Sequence, residues 1–583
     1  MAFGTVASAA IYGIHVEMIH IETDVSNGLP VYNMVGYLSS EVKEAGERVR
    51  TALKNSGFEY PIKRIIVNLS PATIRKRGAS FDLPIAISIM VSAGQISQEK
   101  VDNILVVGEL GLDGKLLKVN GLLAIIMEAK KAGITKFIAP MGNYHESNLV
   151  EGMEAYNFNT LVEVHEFLAT GKYSINTIAK DKDKANVEEA WNSICLEGSK
   201  EAEGSIGSEE SKGAEDSIGS MVSKGARDTE EKGKVRSGLY YDYSNDNKVD
   251  FRDIYGQKAV KRAAEIAVSG GHNLLLIGPP GSGKSMIAKG ISTILPPLDN
   301  HESMEVTKIY SVMGQLKDSE SLIVAPPFRS IHHTITKTTL VGGGNFPTPG
   351  EITLSHGGIL YLDELPEFSR AVLEVLRQPL EDKCIQISRT TGSCHFPADF
   401  MLICAMNPCP CGMYPDLEKC TCSQSQISNY MGKISQPFLD RIDICIEAPK
   451  IDYIDLKKSK EEEGSFEIRE RVIRVRKVQR QRYLKGSLFN NEEYCQQKSQ
   501  SNNNFKRNAQ LTPLDIKKYC YLDSEGEELM EQAYERLSLT ARSYHKILKV
   551  ARTIADMDGQ EHIAPRHLRE SIGYRTMDKK YWR

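Results

Sequence analysis

The stretch from residue 278 to residue 285 reads Gly-Pro-Pro-Gly-Ser-Gly-Lys-Ser, and it decides the fold. It has the complete G-x-x-x-x-G-K-[ST] spacing of a phosphate-binding loop, which predicts binding of a nucleoside triphosphate. The apolar run before it, residues 273–277, is typical of a buried strand, and residues 286–295 are typical of a helix. The N–H groups and dipole at the start of that helix favour an anion. A Gly-rich turn with a chance lysine, the alternative, does not account for both flanking elements.

The eight loop residues are predicted to contact the nucleotide. The glycines let the backbone approach the phosphates, the lysine supplies a charge to the β/γ oxygens, and the last serine hydroxyl is placed to hold Mg²⁺. In chain order these predicted contacts are Gly278, Pro279, Pro280, Gly281, Ser282, Gly283, Lys284 and Ser285. The loop therefore predicts ATP and Mg²⁺ as cofactors.

Two further apolar runs end in polar side chains. Residues 359–362 precede Asp363, which can complete the Mg²⁺ shell, and Glu364, which can polarise the attacking water. Residues 400–406 precede Asn407, a neutral group suited to orienting the water or contacting the γ-phosphate. A solvated strand end and a turn before a proline are the alternative explanations. Beside a phosphate-binding loop, the pattern favours hydrolysis of ATP.

Length and composition limit the class of protein. A chain of 583 residues is too long for one core and predicts about three domains. Its formal net charge of −4 indicates no global basic surface, so any nucleic-acid contact must be local. The chain has neither a long apolar run nor a basic region ahead of its N-terminal apolar run, so we expect no membrane span and no signal peptide. With 11 cysteines and no secretory signal, reduced thiols in the cytoplasm are predicted.

One segment, residues 176–248, departs from globular composition. It is rich in Ser, Gly, Glu and Lys and contains two near-duplicate units, Ser205–Asp216 and Ser217–Asp228. Such residues bury too little apolar surface to offset the entropy of ordering, so a flexible linker is predicted. A regulatory tail is the alternative.

Several motifs together resemble one family. They are Asp250-Phe251 with Gly256-Gln257, residues 270–276 (GGHNLLL), 327–333 (PFRSIHH), 349–352 (PGEI), 356–358 (HGG), 362–368 (LDELPEF), 437–443 (PFLDRID) and 551–556 (ARTIAD). The chain resembles the ComM/YifB family of magnesium-chelatase-like AAA+ ATPases over nearly everything except the linker. The resemblance implies an α/β fold with a P-loop AAA+ core at residues 249–450 and a helical lid at residues 451–583. An α+β domain like ribosomal S5 domain 2 and the Lon protease C domain is implied for residues 1–175.

The family resemblance also implies a ring, a hexamer, in which a neighbour's arginine completes each ATP site. Arg441 matches the position of that finger, and Arg542 resembles the second sensor arginine of the lid, with Arg552 as the fallback. An arginine acting in trans stabilises charge on the transferring phosphate. Pairing of Arg441 with a neighbouring aspartate is the alternative.

The insert between the P-loop helix and Asp363 is expected in this family to project as a hairpin toward the central pore. A second hairpin is predicted around residues 388–392. Lys337 and Arg389 are the cations predicted to lie near a DNA backbone, because such contacts are local, charge-driven and independent of sequence. Ordinary solvated surface charge is the alternative for each.

Four cysteines follow Asn407 in a C-x-C-x₈-C-x-C pattern: Cys409, Cys411, Cys420 and Cys422. Four thiolates can close a tetrahedral Zn²⁺ site that replaces a hydrophobic core for a short loop. Four sulfurs leave no open position, so a structural zinc is predicted and a catalytic one is not. C-x-C is tighter than the usual C-x₂-C, and reduced thiols or a redox pair are the alternatives.

The N-terminal residues resemble the domain that Lon-type peptidases carry, through residues 68–72, 76–84 and 129–134. In that alignment Ser80 stands where the nucleophile would be. The general-base lysine should lie near position 125, but that residue is Ile125, which cannot accept the proton of a serine. A structural or substrate-guiding domain is therefore favoured over a peptidase.

Together these features predict a ring motor that hydrolyses ATP and acts on single-stranded or branched DNA in its pore, as a helicase or branch-migration translocase in recombination or natural transformation. A chelatase-type or remodelling ATPase acting on a partner protein is the alternative, and an ATP-dependent peptidase is less favoured.

Overall fold

A computed structural model describes residues 2–173, 249–317, 322–344, 347–389, 392–416, 418–450, 462–487 and 507–582. The predicted linker, residues 176–248, lies outside the described residues. The same holds for Thr390 and Thr391, at the centre of the second predicted hairpin.

The N-terminal domain is a mixed seven-stranded sheet with helices packed against it. Its strands are β1 (Ala2–Tyr12), β2 (His15–Ser26), β3 (Tyr32–Val35), β4 (Arg64–Ser70), β5 (Ile104–Val106), β6 (Glu109–Leu110), β7 (Leu116–Leu117), β8 (Lys136–Pro140) and β9 (Glu154–Phe158). Its helices are α1 (Ser40–Asn55), α2 (Asp82–Ser92), α3 (Leu122–Lys131), α4 (Tyr144–Ser147) and α5 (Leu161–Thr170). The sheet order is β3-β4-β2-β1-β5-β8-β9, and β6 pairs with β7 separately. This arrangement confirms the predicted α+β class.

The ATPase core is the next domain along the described part of the chain, from residue 249 onward. Its strands are β10 (Leu274–Ile277), β11 (Phe328–Ile331), β12 (Gly342–Gly343), β13 (Thr348–Pro349), β14 (Ile359–Leu362), β15 (Cys384–Arg389), β16 (Gly392–Pro397), β17 (Met401–Met406) and β18 (Ile444–Glu447). Its helices are α6 (Lys258–Gly270), α7 (Lys284–Thr293), α8 (Asn300–Val312), α9 (Lys337–Val341), α10 (Glu351–Leu354), α11 (Arg370–Val375), α12 (Arg377–Asp382), α13 (Gln424–Met431) and α14 (Gln436–Leu439).

Five core strands form one parallel sheet in the order β11-β14-β17-β10-β18. All four residues of β10 are buried, as expected for a strand covered on both faces. Helix α7 begins at Lys284, two residues before the predicted start, because Gly283 takes a left-handed φ of 82° and the next residue is already helical. The α/β prediction with a P-loop at a central strand is confirmed.

Two β-hairpins stand apart from the parallel sheet. Strands β12 and β13 pair antiparallel within the predicted insert, and β15 pairs with β16. Both elements occur where hairpins were predicted, although the second one begins earlier, at Cys384, and ends at Pro397.

The C-terminal helices form a lid over the core. They are α15 (Ser465–Ser487), α16 (Pro513–Tyr519), α17 (Ser524–Arg536), α18 (Ala541–Met557), α19 (Pro565–Gly573) and α20 (Thr576–Tyr581). Helix α18 buries Ile547, Ala551 and Ile554 at helical spacing, so one face of it packs inward. No helix among the described residues combines the length and the apolar character needed to cross a bilayer.

The N-terminal domain contacts the ATPase core at two places. At the end of α8, Ser311 Oγ donates to the buried carboxylate of Glu146 at 2.5 Å, and Gly121 N donates to the Ser311 carbonyl at 2.9 Å. At the β1–β2 turn, a Cβ added to Gly13 would lie 3.0 Å from Cys394 Sγ in β16. The domain therefore packs against both α8 and the base of the β15–β16 hairpin.

A buried ion pair joins the lid to the parallel sheet. Asp443, which directly precedes β18, accepts a hydrogen bond from Asn273 N at 2.8 Å and pairs with Lys546 Nζ of α18 at 2.9 Å. Burial by itself would raise the pKa of Asp443, but the charge of Lys546 brings that pKa down to about 2. The carboxylate thus stays ionised inside the protein.

Replacing Asp443 with asparagine should destabilise the core–lid junction by about 3 kcal/mol, because Lys546 then remains buried without its counter-charge. The expected result is a lower midpoint of thermal unfolding. The double variant Asp443→Asn/Lys546→Met is the matched control and should recover part of the loss. Equal midpoints for wild type and Asp443→Asn would contradict the assignment.

Candidate functional site

The phosphate-binding loop joins β10 to α7 and directs its lysine inward. Gly281 and Gly283 both have left-handed φ angles, 76° and 82°, which glycine adopts without strain. Lys284 Nζ donates to the Gly278 carbonyl at 2.8 Å, to the Pro279 carbonyl at 2.9 Å and to Asn407 Oδ1 at 3.2 Å. Burial lowers the pKa of Lys284. The lysine is thus held at the mouth of the loop with acceptors that a phosphate can replace.

The first acidic residue after β14 lies beside the loop. Ser285 Oγ donates to Asp363 Oδ2 at 2.8 Å, and Asp363 Oδ1 accepts from the Glu364 N–H at 3.0 Å. A hydroxyl and a carboxylate in contact are ligands of the kind that Mg²⁺ takes beside nucleotide phosphates. The structure therefore brings together the two residues predicted to hold the metal, and their chemistry fits that ion.

Glu364 has a backbone conformation unusual for a residue with a side chain, with φ of 52° and ψ of 50°. Its Oε2 lies 3.5 Å from His333 Nδ1, and its side chain is 57% exposed. His333 follows β11, the strand that pairs with β14. Sequence reasoning missed His333 as a neighbour of the predicted base; the available signal was a polar pair, His332 and His333, directly after the apolar Ile331.

These side chains surround one cleft of about 310 Å³. Its lining residues are Pro280, Gly281, Gly283, Lys284, Ser285, Met286, Asp363, Glu364, Met406 and Asn407. A wider cavity of about 460 Å³ adjoins it and shares Glu364 and Asn407. The cleft gathers the predicted P-loop, Mg²⁺ and water-polarising residues.

The predicted arginines lie elsewhere and meet at one carboxylate. Arg441 Nη2 lies 2.9 Å from Glu381 Oε1, and Arg542 Nη2 lies 2.7 Å from the same oxygen. Neither arginine lines the cleft of its own chain. Glu381, on α12, was missed by the sequence analysis, because an exposed acid in a charged segment gives no signal. The fallback Arg552 is buried and pairs with Asp556 at 2.8 Å inside the lid.

Lys337 and Arg389, the predicted DNA contacts, are both exposed. Lys337 is the first residue of α9, just before β12, and Arg389 is the last residue of β15. A Cβ added to Gly343 of β12 would lie 3.3 Å from Arg389 Nη2. The two hairpins therefore lie side by side at the positions that carry these cations.

The four cysteines after Asn407 converge. Their sulfur atoms all lie within 4.8 Å of one another, and Cys409 Sγ is 3.4 Å from Cys411 Sγ and 3.8 Å from Cys420 Sγ. Four sulfurs about 2.3 Å from a tetrahedral Zn²⁺ lie about 3.8 Å apart, so Cys409, Cys411, Cys420 and Cys422 fit that ion. A hydrogen bond from Met413 N lowers the pKa of the Cys411 thiol to about 6. Such a site is structural, because the set has no open coordination position.

In the N-terminal domain, the position at which a peptidase of the Lon type is expected to carry its lysine is occupied by Ile125. Ser80 precedes α2 and is half-buried, whereas Ile125 lies in α3 and is 1% exposed. That position holds an apolar side chain in the core. The favoured interpretation of this domain as structural or substrate-guiding is therefore kept.

Three family descriptions match this chain. They are "Magnesium chelatase, subunit ChlI" over residues 250–456, "Subunit ChlI of Mg-chelatase" over residues 21–143 and "Magnesium chelatase, subunit ChlI C-terminal" over residues 462–575. Competence protein ComM of Haemophilus influenzae is 36% identical over 578 residues, which cover 99% of this chain and 98% of ComM. The protein YifB of Escherichia coli is 36% identical over 580 residues, with the same two shares. Lon protease 2 of Bacillus subtilis is 29% identical over 143 residues, 23% of this chain and 25% of that protein.

The parallel P-loop sheet and the matched family descriptions define a magnesium-chelatase-like AAA+ ATPase. Proteins of this class use ATP with Mg²⁺, in agreement with the residues that line the cleft. The full-length likeness to ComM and YifB is more specific. The chain belongs to the ComM/YifB family.

Replacing Glu364 with glutamine should keep nucleotide binding and lower kcat for ATP by at least about a hundredfold, because the amide keeps the shape but loses the charge that polarises water. Lys284→Ala should lose binding itself. Steady-state phosphate release and fluorescent-nucleotide titration measure the two effects. Glu367→Gln is the matched control, since Glu367 lines only the adjoining cavity. Hydrolysis by Glu364→Gln at the wild-type rate would show that the role of Glu364 is wrong.

Proposed function

We propose that this protein is a ring motor that hydrolyses ATP and moves on single-stranded or branched DNA, as a helicase or branch-migration translocase in the cytoplasm. The observation that carries the proposal is the likeness to a competence protein along the whole chain. Recombination of imported DNA during natural transformation is the process that this likeness favours.

Hydrolysis in this proposal uses the groups that line the cleft. The backbone N–H groups of residues 281–285 and the side chain of Lys284 bind the phosphates, and Lys284 exchanges its carbonyl acceptors for phosphate oxygens. Ser285 and Asp363 would hold Mg²⁺, which neutralises charge on the β and γ oxygens. Glu364 polarises the attacking water, and Asn407, 3.2 Å from Lys284 Nζ, orients that water or the γ-phosphate.

The arginine pair supports assembly into a ring. Arg441 and Arg542 share one carboxylate outside the cleft of their own chain; Arg441 is proposed to act on the ATP of a neighbouring subunit, and Arg542 is proposed as the second sensor arginine of the lid. Arg441 is 8% exposed and hydrogen-bonds the Arg377 carbonyl at 3.1 Å, which fixes its direction. A closed hexamer would give every ATP such a pair.

DNA binding rests on the two adjacent hairpins. The net charge of −4 gives no general attraction to phosphate, so local cations must supply it. Lys337 and Arg389 occupy exposed positions on neighbouring segments, where a backbone in the pore can contact both. Zn²⁺ bound by the four cysteines is proposed as a structural cofactor.

A chelatase-type or remodelling ATPase that acts on a partner protein is the second candidate. The matched magnesium-chelatase subunit descriptions favour it, because they name that class of motor directly. The two candidates differ in their response to nucleic acid. A DNA motor turns over ATP faster when DNA is present, whereas a protein-remodelling motor is indifferent to DNA.

Mixing inactive subunits tests the trans arginine. Arg441→Ala and Lys284→Ala proteins combined in equal amounts should recover roughly a quarter of the wild-type ATPase rate, because one interface in four then joins an intact P-loop to an intact arginine. Mixtures that co-assemble by cross-linking yet stay inactive would contradict the trans role.

Single-stranded, duplex and branched DNA should each be tested for stimulation of the ATPase at low and moderate salt. Stimulation of the ATPase should fall as the salt concentration rises. Lys337→Ala or Arg389→Ala should reduce the slope of log affinity for DNA against log salt concentration by about 0.7 to 0.9. Lys100→Ala, an exposed lysine of the N-terminal domain, is the control. An ATPase indifferent to every DNA would favour the partner-protein candidate.

A further inference from the structure

We infer that the four-cysteine loop, residues 408–423, is a metal-held brace that positions the ATP cleft from both sides, through Asn407 and through Pro280. The inference rests on the proposed ATP site and goes beyond it, because it assigns the cysteine cluster a role in the geometry of that site. Gly412 is the positioning residue in this inference, because it is the residue of the loop that contacts Pro280.

One end of the brace is the predicted sensor asparagine. Strand β17 ends at Met406, Asn407 follows, and Cys409 is already a fully buried metal-ligand candidate. The Met406 carbonyl accepts from Gly278 N at 3.1 Å, so the root of the loop is also hydrogen-bonded to the start of the P-loop. A shift of Cys409 therefore moves the backbone that carries Asn407.

The other end of the brace contacts the P-loop directly. Gly412 has a left-handed φ of 81°, and a Cβ added to it would lie 2.3 Å from Pro280 Cδ and 2.8 Å from Pro280 Cγ. Only glycine permits this approach, because a side chain at 412 would overlap the proline ring. The cysteine loop and the nucleotide-binding loop are thus in van der Waals contact.

The loop contains its own means of holding this position. The amides of Gly412 and Tyr414 donate to Cys409 Sγ at 3.2 Å and 3.4 Å, so the residue that touches Pro280 is bonded to a ligand candidate. Between β17 and α13 the described residues form no helix or strand, and turn hydrogen bonds, such as the one from Cys420 N to the Asp416 carbonyl at 2.8 Å, accompany the sulfur cluster. Bound metal supplies folding free energy to such a segment.

The same loop also forms a wall of the cavity beside the cleft. Pro410 lines it together with Asn407, Glu364 and Tyr430 of α13. The brace accordingly borders the space around the predicted base as well as the phosphate loop. A displacement of this loop would therefore change both the affinity for nucleotide and the rate of hydrolysis, even though the P-loop residues and the two acidic side chains are unaltered.

Gly412→Ala provides the sharpest test, because it keeps all four thiols and adds a clash with Pro280 to the backbone strain that any side chain meets at a φ of 81°. The variant should retain about one zinc per chain while the Kd for a fluorescent ADP analogue rises by about tenfold, as expected for an overpacked contact. Gly133→Ala is the matched control: Gly133 has a φ of 85° and a Cβ there would meet nothing within 4 Å. That variant should bind the analogue as wild type does.

A double variant separates the contact from general misfolding. Gly412→Ala/Pro280→Ala removes the ring atoms that the new Cβ meets, so it should bind the analogue more tightly than Gly412→Ala alone. Cys422→Ser should lose zinc and bind the ADP analogue more weakly. Elemental analysis and nucleotide titration on the same preparation measure the two effects. Rescue by the second substitution would not occur if Gly412→Ala simply failed to fold.

The outcomes are distinct. Gly412→Ala that holds zinc and binds the analogue as wild type does would overturn the brace while leaving the ATP site intact. Wild-type protein that binds the analogue but contains no zinc when prepared under reducing conditions would overturn the metal-held part. Wild-type protein that holds zinc but binds no nucleotide would overturn the proposed ATP site, and with it the brace.

Discussion

Three neighbouring parallel strands, β14, β17 and β10, end at the same edge of one sheet, and the cleft depends on that alignment. Leu362 pairs with Cys404, whereas Ile277 pairs with Met406, so β17 extends two residues beyond the level at which β14 ends. Asn407 therefore reaches the level of the P-loop, and Asp363 lies beneath it beside Ser285. A register shift of one residue would turn each of these side chains to the other face.

The buried lysine holds the phosphate-binding loop through hydrogen bonds to its own chain. Lys284 donates to three oxygens of its own chain, and the loop carbonyls among them are groups that would otherwise need other partners. An arriving phosphate replaces these acceptors with a stronger, charged one. Nucleotide binding at this loop therefore includes an exchange of hydrogen bonds by Lys284.

The fold was largely predictable, because it follows from local patterns. Strand β14 has the predicted bounds, and Asp363, Glu364 and Asn407 follow buried strands as their sequences indicated. Contacts between distant segments were not predictable. Nothing in the sequence near Glu381 indicates that two arginines, about 60 and 160 residues further on, share its carboxylate, since a pairing of that kind depends on tertiary packing alone. The contact of Gly412 with Pro280 was hidden for the same reason.

The N-terminal domain is attached to the ATPase core at α8 and at the base of the β15–β16 hairpin, and strand β14, which precedes the two acidic residues, lies between these segments in the chain. The domain is therefore held at two points, which lie on separate segments of the core. Any rotation of α8 relative to that hairpin during an ATPase cycle must tilt the whole seven-stranded sheet or break one attachment. Such a tilt would carry with it both edge strands of that sheet, β3 on one side and β9 on the other.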